Sequence, residues 1–450
     1  MQRRTLFPAR LRLSAAGLAL ASALSFAALP ARAQELIFKP FHQNGIYAVG
    51  EKAGWTVTLP QDATSSSDYT FIIKKNNIDV IAVGALDLKH GSATIETALG
   101  EPAMLYVEVK TDAPPTPPAQ GPNTTPVVAK DTAIHLGAAI APFQLQPSVP
   151  RPADFDSFWD AKLKALAAIP INPVLTPTQT DKPGVELYTV KLNSLGSHVQ
   201  GYLAKPAKEG KFPALVIYEW AGVHALQPAT VTDRAAEGWL AFNVDSHDLP
   251  PSQGTGVSTQ YQAIGNTDRE ASYFLNMYLR DSRAIDYIAT RPDWDGKNIV
   301  VIGTSMGGHQ SLVAAGLNPK VTAVIVNEPA GADSNGDLHG RKAGYPNWDS
   351  TNPKVMETAL YFDTVNFASR IKAPVLAAMG FIDIVVPPIG VWIALDQVPG
   401  PKEAIPMVES NHNNLTPDKI GAFETRSKEV LGIILSGGEF KPNEELTRGR

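Results

Sequence analysis

The sequence predicts an α/β fold class, a mostly parallel central sheet with helices on both faces, preceded by a small all-β sandwich of immunoglobulin-like type. Three observations lead there. From about residue 150 onward, short apolar strand candidates alternate with helical segments, the pattern of strand–helix–strand crossovers. Before that, short strand candidates separated by turn residues follow one another without helices. A proline-rich stretch divides the two regions.

The elements follow in order. Residues 1–33 read as an export signal: Arg3, Arg4, Arg10 and Arg12 form a basic region, Leu13 to Leu29 an apolar one, and Ala31-Arg32-Ala33 a small-x-small cleavage site. The mature chain is then expected to start near Gln34, exported to the periplasm or secreted. Arg3-Arg4 hints at twin-arginine export. No later run is long and apolar enough to span a bilayer, so no membrane partner is expected. Residues 34–112 form the predicted sandwich, with strand candidates at Trp55–Leu59, Tyr69–Ile73, Val80–Val83 and Met104–Val109. Its lone histidines, His42 and His90, read as surface or turn residues. Residues 113–126 carry enough prolines to make a semi-rigid extended linker.

Residues 127–440 are assigned to the α/β domain. Pro152 opens a helix that places Phe155, Phe158, Trp159, Leu163 and Leu166 on one stripe, read as packing. Strand candidates follow at Leu187–Leu192, Val199–Ala204, Ala214–Tyr218 and Leu240–Val244. Thr267-Asp-Arg-Glu270 has the form of a capping box, which predicts a helix from there to about Ala289. Strands are then expected at Asn298–Ile302, Val321–Val326, Val375–Met379 and Ile405–Val408. Residues 441–450 read as a solvated tail.

The chemistry concentrates at Gly303-Thr304-Ser305-Met306-Gly307. A strand candidate precedes it and a helical run follows. A strand that enters G-x-S-x-G and leaves as a helix is the nucleophile elbow of an α/β-hydrolase. With 35 glycines in the chain the motif alone is weak, so its partners matter. Serine acyl transfer needs a base and an acid to hold it, in the chain order Ser, Asp or Glu, His. Asp383 follows the strand candidate Val375–Met379, flanked by apolar residues where an unpartnered carboxylate would be costly. His412 follows Ile405–Val408, and no other histidine comes after Asp383. Ser305, Asp383 and His412 are therefore the predicted catalytic residues. Oxyanion donors are expected from the backbone N–H of Met306 and from Trp220, in the loop after Ala214–Tyr218. Glu219, His247, Gln253 and His309 are candidates for the substrate cleft. His309, four residues past the serine, points away from the base position on a helix and reads more readily as packing. His224 is ranked with His247.

Composition narrows the alternatives. The net charge of −5 is mild and no basic patch argues for nucleic acid. Zero cysteines remove disulfides, thiolate nucleophiles and cysteine metal sites. The histidines lack zinc spacing and there is no dinucleotide or phosphate-loop signature, so no cofactor and no metal is expected.

Several stretches resemble one family: Arg151 to Trp159, Arg280 to Ile288 with Arg291 to Gly296, Tyr361 to Ala368, and Met379 to Pro388. Across about residues 150 to 415 the chain is similar to the acetyl xylan esterase / cephalosporin C deacetylase family, carbohydrate esterase family 7. The resemblance implies the triad Ser305, Asp383 and His412, and an acetylated saccharide as substrate. The family tends to form hexameric rings; the extra β-domain leaves homo-oligomerisation open here. This chain departs from the family where Met306 replaces the usual glutamine after the serine. It departs again at Glu219 to Val223, in place of a glycine-rich loop, and at His247 to Ser252, in place of an Arg-containing one. Two rival readings remain from the sequence. One is another serine hydrolase, an exopeptidase anchoring an amine through Glu219 or an esterase for other acyl groups. The other is a non-catalytic carbohydrate-binding protein.

Overall fold

The computed structural model describes residues 36–60, 68–111, 133–413 and 416–446. The export signal and the proline-rich linker lie outside the described residues, and residues 441–446 of the tail carry no helix or strand.

The N-terminal strands are β1 (Ile37–Pro40), β2 (Ile46–Tyr47), β3 (Lys52–Thr58), β4 (Tyr69–Lys75), β5 (Asp79–Leu86), β6 (Ser92–Ala98), β7 (Ala103–Thr111) and β8 (Ile134–Ile140). They make two sheets, β1-β3-β6 and β2-β8-β7-β4-β5. Trp55, Val57 and Ile95 from the first share one buried cluster with Ile73, Leu105, Val107 and Val109 from the second, which makes a sandwich. The sequence reading closed this unit at residue 112 and began the next at 127. The structure instead gives the strand after the proline-rich stretch to the sandwich. β8 runs antiparallel to β7, with Glu108 opposite His135, and parallel to β2. A strand's own pattern does not say which edge it will pair with, and only the ladder decides.

The remaining strands are β9 (Val174–Thr178), β10 (Val185–Asn193), β11 (His198–Pro206), β12 (Phe212–Tyr218), β13 (Leu240–Asp245), β14 (Trp294–Thr304), β15 (Ala323–Asn327), β16 (Val375–Gly380) and β17 (Lys402–Met407). They form one sheet in the order β17-β16-β15-β14-β12-β13-β11-β10-β9. Pairing is parallel from β17 to β13 and antiparallel from β13 to β9. The helices are α1 (Phe155–Ala167), α2 (Ala229–Glu237), α3 (Tyr273–Ile288), α4 (Met306–Leu317), α5 (Pro353–Ala359), α6 (Thr364–Ala368), α7 (Pro388–Gln397) and α8 (Pro417–Leu435).

Consecutive strand residues point to opposite faces, and both faces are covered. Val216, Val301 and Val324 join Ala284, Ile285 and Ile288 of α3 and Trp392 and Ile393 of α7. Their neighbours Leu215, Val300 and Ile325 join Val231 and Ala235 of α2 and Val430, Leu431 and Ile434 of α8. This is the α/β-hydrolase architecture.

The predicted start of α3 needs correction. Residues 267–272 form turns, and the helix begins at Tyr273 with Ser272 as its cap residue. The Glu270 carboxylate does not reach back to close a capping box; it pairs with Lys162. Arg269 bonds Asp154 at 2.7 Å and lies over the rings of Phe158 and Tyr361. Ties to α1 and to the segment before α6 thus override the local signal. The aromatic stripe of α1 is packing, with Trp159 Nε1 donating to the Tyr361 carbonyl at 3.0 Å.

The sandwich sits against the loops that leave the main sheet. The Lys342 amide donates to the Asn76 carbonyl at 3.1 Å. Gly137 of β8 lies so close to Phe381 that a Cβ there would stand 2.5 Å from the Phe381 carbonyl oxygen. Phe381 is two residues from Asp383, so the β-unit supports the loop after β16.

Candidate active site

β12 has β13 on one side and β14 on the other, so successive crossovers leave in opposite directions. In open α/β sheets, ligands bind outside the carboxyl ends of strands at such a switch point. Ser305 stands there, between β14 and α4. Its backbone is at φ 57 and ψ −121, a region costly for a residue with a side chain. The turn is tight enough to need two glycines. A Cβ on Gly303 would lie 2.3 Å from the Gly307 carbonyl carbon, and one on Gly307 would lie 2.2 Å from the Tyr218 carbonyl oxygen. The elbow is held by the Ser305 amide, which donates to Asn327 on the neighbouring strand at 3.0 Å.

The loops after β16 and β17 bring two further side chains to this point. His412 Nε2 lies 2.9 Å from Ser305 Oγ, and Nδ1 lies 2.7 Å from Asp383 Oδ2. Asp383 is buried, and its Oδ1 accepts the amides of Val385 and Val386, each at 2.8 Å. The carboxylate is therefore fixed before the imidazole is counted. Nδ1 carries the proton toward Asp383, which leaves the Nε2 lone pair facing the serine hydroxyl. Burial pulls the His412 pKa down. The hydrogen bond and charge of Asp383 outweigh it and leave the pKa above 6.5. The arrangement can remove a proton from Ser305 and stabilise the cation that results.

Met306 is the first residue of α4, so its backbone N–H has no partner within the helix. Its side chain is buried, and its sulfur accepts from the hydroxyls of Tyr261 at 3.0 Å and Tyr345 at 3.2 Å. Trp220 lies in the loop after β12, 58% exposed and stacked on His224 at 4.8 Å. That loop is anchored from below. The Gly222 amide donates to Tyr261 Oη at 3.4 Å, and the Gly222 carbonyl accepts from His247 Nε2 at 2.8 Å.

Of the four cleft candidates, His309 is packed, as its helical position suggested. His309 is in the core, against Phe274 and hydrogen-bonded to Tyr278, and burial lowers its pKa to about 3. It does not line a cleft; α4 is buried along its whole length. His247 is buried, and burial lowers its pKa to about 4. It is a neutral brace between Gly222 and the Tyr273 hydroxyl, 3.1 Å from Nδ1. Glu219 is buried too. Its Oε1 accepts from Asn243 Nδ2 at 2.8 Å. Gln253 is exposed on a surface loop, its amide donating to the Thr255 carbonyl at 2.6 Å.

One residue was not foreseen. Glu328 follows β15, is 1% exposed, and has Oε2 3.6 Å from His412 Nδ1. The available signal was its place, an acid directly after a buried strand in Val326-Asn327-Glu328-Pro329. Donor atoms of Glu328, Asp383 and His412 all lie within 4.8 Å of one another, close enough for a cation. The imidazole is engaged at both nitrogens, however, and offers no free lone pair to a metal.

The sequence profile of the acetyl xylan esterase (AXE1) family matches residues 143–335 and 344–425. The chain belongs to the acetyl xylan esterase family. Like its family, it is a carboxylic ester hydrolase. The acetyl esterase Axe7A of Xylanibacter ruminicola is 31% identical over 391 residues, covering 81% of this chain and 84% of that protein. An acetyl xylan esterase structure from a Paenibacillus species is similar at TM-score 0.58 and 24% identity, covering 66% of this chain and 98% of that one. Acetyl xylan esterase 1 from a Thermoanaerobacterium species gives TM-score 0.56 at 22% identity, covering 63% and 96%. These two structures carry the fold assignment.

Proposed function

We propose that this member of the acetyl xylan esterase family is an exported serine esterase that deacetylates xylan or other acetylated saccharides. The observation that carries the reading is the imidazole of His412, bonded at one nitrogen to Asp383 and at the other to Ser305. His412 takes the Ser305 proton, and the alkoxide attacks the acetyl carbonyl. The N–H groups of Met306 and Trp220 hold the oxyanion, an interaction whose loss typically costs about 10²–10³-fold in kcat. The His412 imidazolium gives its proton to the departing sugar oxygen. Water, deprotonated by the same histidine, then attacks the acetyl-enzyme; the bond to Ser305 Oγ breaks, His412 returns the proton to that oxygen, and acetate is released. Asp383 fixes the tautomer and stabilises the imidazolium throughout.

Support for the acetyl-saccharide substrate comes from the family and from the relative named an acetyl esterase. The basic, apolar, small-x-small pattern of residues 1–33 supports export. The exopeptidase alternative draws no support from Glu219, which is buried with one carboxylate oxygen held by Asn243.

The test is acetate release from acetylated xylo-oligosaccharides and a panel of other acetylated sugars, with Ser305→Ala as control. The expected result is turnover by the native protein and a loss of at least about 10³-fold in Ser305→Ala. Equal turnover in the two would refute the serine mechanism. Turnover of aminoacyl anilides in preference to acetyl sugars would refute the substrate class.

A further inference from the structure

Glu328 is built into the site at a cost. Its backbone is in the left-handed region at φ 45, uncommon for a residue with a long side chain. Its side chain is almost wholly buried, and among the described residues neither carboxyl oxygen has a partner at full hydrogen-bond geometry, the Ser410 hydroxyl offering only a weak one. A buried polar group left unmatched is expensive and calls for a reason. The surroundings make room for it. The Glu328 amide is fastened to the Ala378 carbonyl of β16 at 2.9 Å. β16 ends in Gly380, where a Cβ would stand 2.5 Å from Glu328 Oε1. A side chain at 380 would thus displace the carboxyl group from its position.

That position faces the same imidazole edge that Asp383 holds. Oε2 is 3.6 Å from His412 Nδ1, while Asp383 Oδ2 is 2.7 Å away. We propose that Glu328 is a second acidic positioning residue, poised beside Asp383 at the Nδ1 edge of His412 and able to hold the imidazole when Asp383 cannot. The inference rests on the reading of Ser305, His412 and Asp383 as the reacting unit.

The electrostatics agree with the geometry. Burial, and then the charge of Asp383, push the Glu328 pKa up to about 8, against the pull of His412 and the Ser410 hydroxyl. Asp383 reaches Glu328 from the loop after β16, and His412 and Ser410 reach it from the loop after β17. Near neutral pH the group is largely a neutral acid while Asp383 carries the charge. Two carboxylates this close do not readily ionise together. Removing the Asp383 charge lowers the cost of ionising Glu328, which can then accept the Nδ1 proton's hydrogen bond in its place.

The experiment measures hydrolysis of p-nitrophenyl acetate against pH for the native protein and for Asp383→Asn, Glu328→Gln, the double variant and Ser305→Ala. In a triad with one acid, losing that acid costs about 10⁴-fold in kcat. Here Asp383→Asn is expected to cost about 10²-fold and the double variant about 10⁴-fold. Adding Glu328→Gln to Asp383→Asn is expected to move the acidic limb of kcat/KM to lower pH, because it removes the glutamate charge that appears once Asp383 is neutral and that raises the His412 pKa. A purely structural glutamate would leave that limb in place. The inference is overturned if Asp383→Asn is as inactive as the double variant, or if the limb does not move. Should Glu328→Gln fail to fold, Glu328→Ala is read by the same two measures. An active Ser305→Ala would instead overturn the serine mechanism, so the two failures are distinguishable.

Discussion

At the scale of single residues, three side chains 78 and 29 positions apart in sequence meet within hydrogen-bond distance. Ser305 and Asp383 are each fixed before His412 arrives, one by a strained elbow and one by two backbone amides. Only the histidine sits on a loop without such fastening at its side chain. Its protonation should therefore dominate the pH profile. In the proposed mechanism the neutral form is the base, so activity is expected to rise as pH passes upward through its pKa. Because that pKa lies above 6.5, the acidic limb of kcat/KM is expected above pH 6.5 in the native protein. A limb centred well below that value would contradict the balance of burial and charge described here. The Ser-Asp-His order made these residues legible in the sequence. Glu328 was not legible in the same way, because its role depends on a 3.6 Å approach between loops that follow different strands.

At the scale of elements, the turn from β14 into α4 has no slack. The glycines at 303 and 307 are read from sequence as requirements of the motif, and the distances give the reason. Gly307→Ala places a methyl 2.2 Å from a backbone oxygen of β12, where nothing flexible can yield. Overpacking of this kind costs about 1–3 kcal/mol or more. In a chain of this size that lowers the melting temperature by about 1–4 °C. Thermal unfolding followed by circular dichroism would measure it, alongside a loss of esterase activity. An unchanged melting curve would mean that the elbow can open. α3 illustrates the opposite case, in which a local signal is overruled. Thr267 to Glu270 has the letters of a capping box, yet Arg269 and Glu270 are drawn to partners on and beside α1. A cap contributes about 1 kcal/mol, and in its place these two residues make ion pairs and a cation–ring contact with a second element.

At the scale of the whole molecule, the β-sandwich is continuous with the support of the site. β8 brings Gly137 against the backbone of Phe381, and the Asn76 carbonyl receives the amide of Lys342. Gly137→Ala would push on a loop that carries Asp383 two residues later. A displacement on the order of 1 Å near reacting groups can cost about 10²-fold in rate. The expected outcome is a fall in kcat of about tenfold or more, with KM much less affected. Steady-state kinetics on p-nitrophenyl acetate would measure both. Full activity in this variant would show that the sandwich and the acid loop are mechanically independent.

Periodicity and turn chemistry in the sequence were enough to determine an α/β sheet, an all-β unit before it, and a serine elbow followed by an acid and a histidine in order. These properties are set by residues close together in the chain. The assignment of β8 to the sandwich, the burial of Glu219 and the placement of Glu328 at His412 were decided only by tertiary structure. Each depends on which strands pair and how far their loops then reach, and pairing between distant segments leaves no mark in local composition.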